Sequence, residues 1–277
     1  MSFLEKIVKV KPGKEEVALV WLGQAGFLFK TAGGKIILLD PYLTDYTNRV
    51  LKQEYGQIFR RMCPSIFEPG ELKADILLCS HEHEDHLDMD AIPVLLKDKN
   101  LGCFTNLTAK EKLKAAGIDS ERFTVLKKNE AVEFDEWSLL PLDCDHGDAA
   151  PEALGLLLDF GFISIYYSGD TSYTKTRLAN AIDKKPAVSL LPINGAYGNL
   201  NAEDAAKFAA DLETKLCIPH HFWTFPAHSG PKGTPKDALE FFPKYAPNCF
   251  LNLATPGEIM IIGKDHITPI NSPGENF

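Results

Sequence analysis

Nowhere in these 277 residues do two cysteines stand as a C-x-x-C pair. The six present, at positions 63, 79, 103, 144, 217 and 249, have no regular spacing, which excludes a zinc ribbon and a dithiol redox motif. Several lie in apolar runs, where a free thiol behaves as a small hydrophobe. Long hydrophobic runs are missing as well. No stretch approaches the ~18 apolar residues of a membrane span, and the basic residues within 1–14 lack an apolar core of signal-peptide length. The expectation is a soluble, cytoplasmic chain. Basic charge is scarce: 29 Lys plus Arg face 38 Asp plus Glu, a net charge of −9 with a pI near 5.4. That removes the whole-chain electrostatic footprint for nucleic-acid backbone. There is no low-complexity linker and no short repeat, and a 45% hydrophobic content supplies a sizeable core, so 1–277 is read as one domain.

What the chain does have is His81-Glu82-His83-Glu84-Asp85-His86, three of its eight histidines within six residues. The run Asp75-Ile76-Leu77-Leu78-Cys79-Ser80 before it has the length and apolarity of a buried strand. Continued as an extended stretch, the strand points His81 and His83 to one side, with Glu82 and Glu84 facing away. After a turn, Asp85 and His86 aim at a second point nearby. Imidazole and carboxylate are ligands for zinc and its borderline neighbours, and two close metals clamp the attacking and leaving oxygens of a displacement.

Elsewhere, short strands are expected at 17–22, 27–29 and 35–39, joined by Gly-rich turns as an antiparallel meander that ends at Asp40. Residues 44–69 are irregular and rich in aromatics, read either as a lid or as a homo-oligomer interface. A short helix follows at 90–96 and a strand at 103–105, and Thr108-Ala109-Lys110-Glu111 reads as a capping box opening a helix that stops at Gly117. Strands are expected at 123–126, 131–134, 137–142, 154–160, 162–167, 188–193 and 216–218, with 259–262 the last. Asn201 caps a helix to Leu212, and a further helix covers 235–245. Strands dominate without regular β-α-β alternation. The fold class is therefore α+β, a sandwich of two packed sheets with helices on both outer faces.

A metal needs ligands from several elements, and the later chain supplies them at strand ends three times: His146, Asp170 and His221. The order H-x-H-x-D-H, His, Asp, His resembles that of the metallo-β-lactamase-fold hydrolases, over residues 21 to about 263. The resemblance implies an αββα sandwich in which His81, His83 and His146 hold one metal and Asp85, His86 and His221 a second. Asp170 would bridge them, and Asp40 would fix the orientation of a ligand histidine. The family's Pro-any-His motif selects His221 over His220, which is left as a packed or supporting residue. Trp21-Leu22-Gly23-Gln24-Ala25-Gly26, Tyr167-Ser168-Gly169-Asp170 and Ile218-Pro219-His220-His221 are similar to the L-ascorbate-6-phosphate lactonase group. Phe222 stands where the lactonase has a further His, and the segment after Asp40 differs. The implication is thus the reaction class rather than ascorbate phosphate itself.

The expected function is a metal-dependent, lactonase-like hydrolase, with a metal-bound hydroxide opening an ester-like bond of a small molecule, first a lactone, including sugar-phosphate lactones. Asp85 and Asp170 are its candidate catalytic carboxylates. The implied cofactor is one or two divalent ions, zinc first, with manganese and iron as alternatives. A small-molecule or nucleotide phosphodiesterase or nuclease is the alternative on the same site, disfavoured for long nucleic acids by the negative charge. A diiron redox protein would need a flavin domain or more carboxylates, and a sensor module would not need so full a ligand set. Asn194, Tyr197, His228 and Tyr173 are candidate pocket residues, and Phe222-Trp223-Thr224-Phe225 a core or pocket wall.

Overall fold

The computed structural model describes residues 1–226 and 228–270. Helix α1 (Phe3–Lys9) precedes β1 (Glu16–Gly23), β2 (Gly26–Lys30) and β3 (Ile36–Leu39), which pair antiparallel as the Gly-rich turns require. Helix α2 (Tyr46–Tyr55) and an irregular loop lead to β4 (Ile76–Cys79). Then follow α3 (Ile92–Leu95), β5 (Gly102–Thr105), α4 (Leu107–Ala115) and β6 (Phe123–Val125), with β3 to β6 parallel. The second half runs β7 (Val132–Glu133), β8 (Ser138–Asp143), β9 (Leu154–Asp159), β10 (Ser164–Tyr167), α5 (Ala179–Ile182) and β11 (Val188–Pro192). It continues through α6 (Ala202–Asp211), β12 (Leu216–His220), α7 (Pro235–Tyr245) and β13 (Phe250–Leu251). Finally β14 (Ile259–Gly263) and β15 (Ile267–Ile270) return to the first sheet.

Two mixed sheets result, ordered β15-β14-β1-β2-β3-β4-β5-β6 and β13-β12-β11-β10-β9-β8-β7. Strand β1 shows why they stack. Its Val17, Leu19 and Trp21 join Leu139, Leu156 and Leu190 in the core between the sheets. Its Ala18, Val20 and Leu22 face the other way, among Ile7, Ile92, Leu95 and Leu113 of the helices. A strand buried on both faces reads as a continuous apolar run, as this one does. Each large side chain so buried contributes roughly 1.5–3 kcal/mol. Helices α1, α3 and α4 cover one outer face, while Ala205, Phe208 and Phe242 of α6 and α7 cover the other. The fold is the αββα sandwich.

Local expectations fail where a neighbour outcompetes them. The 107–115 helix opens earlier than the Thr108 capping box suggests, because the Asn106 side chain accepts from Ala109 N at 2.8 Å. Strand–helix alternation does exist, in β4-α3-β5-α4-β6 and β11-α6-β12-α7-β13, obscured in the sequence by the antiparallel hairpins between them. Residues 259–262 are not the last strand, since β15 pairs antiparallel beyond them. Helix α2 falls within the segment expected to be irregular. It buries Tyr46 and packs Val50 and Leu51 toward Phe59 and Phe225.

Asp88 locks the turn after the histidine cluster to the loop after β3. Its buried carboxylate accepts from Leu43 N (2.9 Å), Thr44 N (2.8 Å), Thr44 Oγ1 (2.7 Å) and Ala91 N (3.1 Å). Removing a charged acceptor leaves these buried donors unsatisfied, so Asp88→Ala is expected to cost about 3 kcal/mol in urea unfolding. A loss below about 1 kcal/mol would show that water replaces the carboxylate.

Candidate metal centre

Five strands end at one edge of the sandwich, and each delivers a polar residue there. Asp40 follows β3, Ser80 and His81 follow β4, His146 follows β8, Asp170 follows β10, and β12 runs into His221. The histidine cluster is not extended. His86 N and Leu87 N both donate to His83 O, at 3.0 and 2.8 Å, which folds 83–87 into a tight turn. His81 and His83 therefore meet through a turn rather than through strand alternation. Glu84 packs against Lys112 (2.7 Å) and Glu82 lies near Asn106, both only partly exposed.

Besides the group Asp40, His81 and His86, whose carboxylate lies behind the rings, the potential ligand atoms fall into two groups, His81, His83, His146 and Asp170 in one and Asp85, His86 and His221 in the other. Within each, one atom per residue lies within 4.8 Å of the rest. Asp170 stands between them: Oδ1 is 3.1 Å from His86 Nε2 and 3.2 Å from His221 Nε2, while Oδ2 is 3.8 Å from His146 Nε2. Asp85 Oδ2 lies 3.1 Å from His221 Nε2. Asp40 accepts from His86 Nδ1 at 2.6 Å, and Ser80 Oγ is 3.0 Å from His81 Nδ1, so both rings turn Nε2 toward the centre. Those two Nε2 atoms and Asp170 Oδ1 are buried without an aligned hydrogen-bond partner. His83 Nδ1 and His146 Nε2 approach to 3.2 Å, two imidazole nitrogens facing each other. Unpartnered, converging lone pairs of nitrogen and carboxylate type are what a borderline divalent cation satisfies. The residues fit a metal.

The electrostatics reflect the crowding. Burial pushes His81 well below the usual histidine value and His146 down to about 4. For His86, burial is outweighed by Asp170, Asp85 and Asp40, which hold it well above the usual value; for His221, Asp170 and Asp85 likewise outweigh burial and raise it to about 9. Burial would raise Asp85 and Asp170, but His86 and His221 hold both carboxyls below their ordinary range.

The other expected residues divide. Asn194, Tyr197 and His228 line a cavity of about 350 Å³ that opens onto His83, Asp85, His146, Asp170 and His221. His228 Nε2 donates to Ile58 O (2.8 Å), leaving Nδ1 to accept from Tyr197 OH (2.7 Å). Phe222, Trp223, Thr224 and Phe225 are pocket wall, and α2 with the loop after it forms the facing wall through Leu51, Tyr55 and Phe59. His220 is packed away from the cavity, between Phe27 and Tyr167, with ring centroids at 5.7 and 5.2 Å. Tyr173 turns to Asp211 on α6 instead of the pocket. Gln24 was not foreseen as a site residue. Its Nε2 donates to Asp85 Oδ2 (2.8 Å), its N–H bonds Thr224 Oγ1 and its carbonyl accepts from His221 N. No local pattern marks it, since the contact spans 61 positions; in the fold Gln24 sits in a left-handed turn, φ 50°, where a side chain is tolerated only at a cost.

Residues 18–221 match the family model described as "Beta-lactamase superfamily domain". A UPF0173 metal-dependent hydrolase of Cupriavidus taiwanensis is 32% identical over 250 residues, covering 82% of this chain and 81% of its own. One from Thermoplasma acidophilum is 28% identical over 216 residues, covering 76% and 85%. Among solved structures, an isothiocyanate hydrolase from Delia radicum gut bacteria superposes with a TM-score of 0.72 at 21% identity, covering 89% of this chain and 99% of that one. CmlA, a diiron β-hydroxylase from Streptomyces venezuelae, superposes with a TM-score of 0.65 at 14% identity, covering 91% and 55%. Likeness at these identities is likeness of fold.

The shifted histidines set the pH response of chelated protein. His221 and His86, raised in the fold, stabilise it below about pH 6.5 and lose that contribution as pH climbs through about 9. His146 and His81, lowered in the fold, cost stability as pH falls below about 6.5 toward about 4, because the unfolded chain takes up protons first. Thermal midpoints in excess chelator should peak near pH ~6.5 and fall on both sides. A midpoint rising steadily to pH ~9 would contradict these charge assignments.

Proposed function

This chain belongs to the beta-lactamase superfamily of metal-dependent hydrolases, in its UPF0173 family, and on that premise we propose that it opens an ester-like bond, foremost a lactone, in a small molecule. What carries the reading is Asp170 standing between two ligand groups whose unpartnered atoms converge at the floor of a walled pocket. His81, His83 and His146 would hold one divalent ion and Asp85, His86 and His221 the other, with Asp170 shared. Zinc suits the imidazole-rich set, with manganese and iron admitted by its carboxylates. A bound divalent ion supplies Lewis acidity and lowers the pKa of water from ~15.7 toward about 7.

The protein's own part is positioning. Gln24 holds Asp85 Oδ2, so the Asp85 carboxylate presents a fixed acceptor at the pocket floor to orient an attacking water. Asp40 fixes the His86 tautomer from behind. The aromatic walls exclude bulk water, which strengthens every charge interaction at the floor. For a lactone, the leaving oxygen stays tethered and the product is a hydroxy acid. No helix among the described residues is long and apolar enough to cross a membrane. All six cysteines are unpaired, which suits a reducing compartment such as the cytoplasm, where we place the enzyme.

Elemental analysis of protein purified without chelator should find one or two divalent ions per chain. His83→Ala or Asp170→Ala should lower kcat/KM for a simple lactone by roughly a thousandfold, and Asp40→Ala should weaken metal affinity by about 10–100-fold. Full activity after exhaustive chelation, or in either ligand variant, would refute the proposal.

A further inference from the structure

The walls of the pocket differ in kind from its floor. Leu51, Tyr55, Phe59, Phe222, Trp223 and Phe225 make a nearly continuous apolar lining above the histidines and carboxylates. Among the described residues, no lysine or arginine lines it. Of the cations near it, Lys112 is paired with Glu84, Arg49 with Asp90 and Arg61 with the carbonyls of Tyr42 and Cys63, while Lys52 and Arg60, next to lining residues in sequence, are exposed and outside the lining. The charged lining residues other than histidine are all acids, Glu84, Asp85 and Asp170. Among its neutral polar groups is Asn194, a buried amide whose Oδ1 has no partner. At the mouth the apolar character continues outward, with Tyr55 67%, Tyr197 56% and Trp223 63% exposed. Exposed aromatics of this size gathered round an opening mark a surface that apolar ligand groups cover.

Resting on the hydrolase reading above, we infer that the substrate is an uncharged ester or lactone with an aromatic or branched aliphatic body, and not a phosphorylated sugar. Away from the floor, where divalent ions would sit, a phosphate carried on that body would leave water for an aromatic wall lined by no lysine or arginine among the described residues, which is unfavourable. Sites built for phosphate instead present guanidinium, ammonium or backbone N–H groups. Here the body of the ligand packs against Leu51, Tyr55 and Trp223, and Asn194 hydrogen-bonds a neutral polar group.

The test uses metal-replete protein and calorimetry with a phenyl-substituted γ-lactam, whose amide resists opening, against the same lactam bearing a ring phosphate. The neutral lactam should bind at least tenfold more tightly. Leu51→Arg, on the partly exposed face of α2, places a cation at the wall and should shift the ratio at least tenfold toward the phosphorylated probe. Equal or tighter binding of the phosphorylated probe by the unmodified protein, or no binding of the neutral one, would overturn the assignment. Turnover of the matching phenyl-γ-lactone is measured separately. Tight binding of the neutral lactam with no lactone opening would uphold the pocket chemistry while sinking the hydrolase reading.

Discussion

The carboxylate of Asp40 is the contact on which the site depends. Fully buried, it accepts from Ser80 N (2.6 Å), Ser80 Oγ (2.5 Å), His86 Nδ1 (2.6 Å) and Tyr167 OH (2.7 Å). Ser80 follows β4 in the first sheet and Tyr167 ends β10 in the second, so one side chain ties the two sheets at the edge where the candidate ligands gather. The same carboxylate sets the His86 tautomer. Asp40 itself has φ 42°, an uncommon conformation for a residue with a Cβ, sustained by four hydrogen bonds. Its carbonyl would lie 3.0 Å from a Cβ at Gly26, so the neighbouring strand needs a glycine there.

Around that anchor, topology concentrates the chemistry. Strands β3 and β4 are parallel neighbours, and so are β10, β11 and β12, so their C-terminal ends share an edge. Buried strands supply apolar rigidity, and only their last residues are polar. A buried cluster of carboxylates and imidazoles would be costly unless each charge were compensated. Without a metal, the compensation is internal: Asp170 and Asp85 face His86 and His221. Coordination requires neutral imidazole, so metal uptake replaces those protons and is coupled to pH.

Above this floor the pocket changes character. Helix α2, the loop after it and the 222–225 segment bring aromatic side chains from opposite ends of the chain. Tyr197, His228 and the carbonyl of Ile58 join three of these loops through two hydrogen bonds. The floor is suited to polarising a bond and the walls to choosing the molecule that carries it. The isothiocyanate hydrolase and the diiron hydroxylase share this fold under different names, so the fold alone does not fix the chemistry.

Much of this protein is written locally. Apolar runs of strand length, each ending in His, Asp or Ser-His, mark Asp40, the 81–86 cluster, His146, Asp170 and His221, because a buried strand and a polar terminus are both local patterns. The sandwich followed from strands of both halves needing an apolar partner on each face. Contacts between distant positions were decided only by the folded chain. Gln24 meets Asp85 across 61 positions and Asp40 meets Tyr167 across 127, separations at which no periodicity carries a signal. Helix α2 exists because Tyr46 and Leu51 pack on Phe59 and Phe225, the last of them brought from the far end of the chain. His220 and His221 are adjacent in sequence, yet β12 buries one between the sheets and the turn after it sends the other, at φ 64°, to the site. The sequence by itself determined which residue types would reach the edge of the sandwich. The tertiary structure alone decided which atoms face one another and what kind of wall surrounds them, since both are set by packing between segments that share no local pattern.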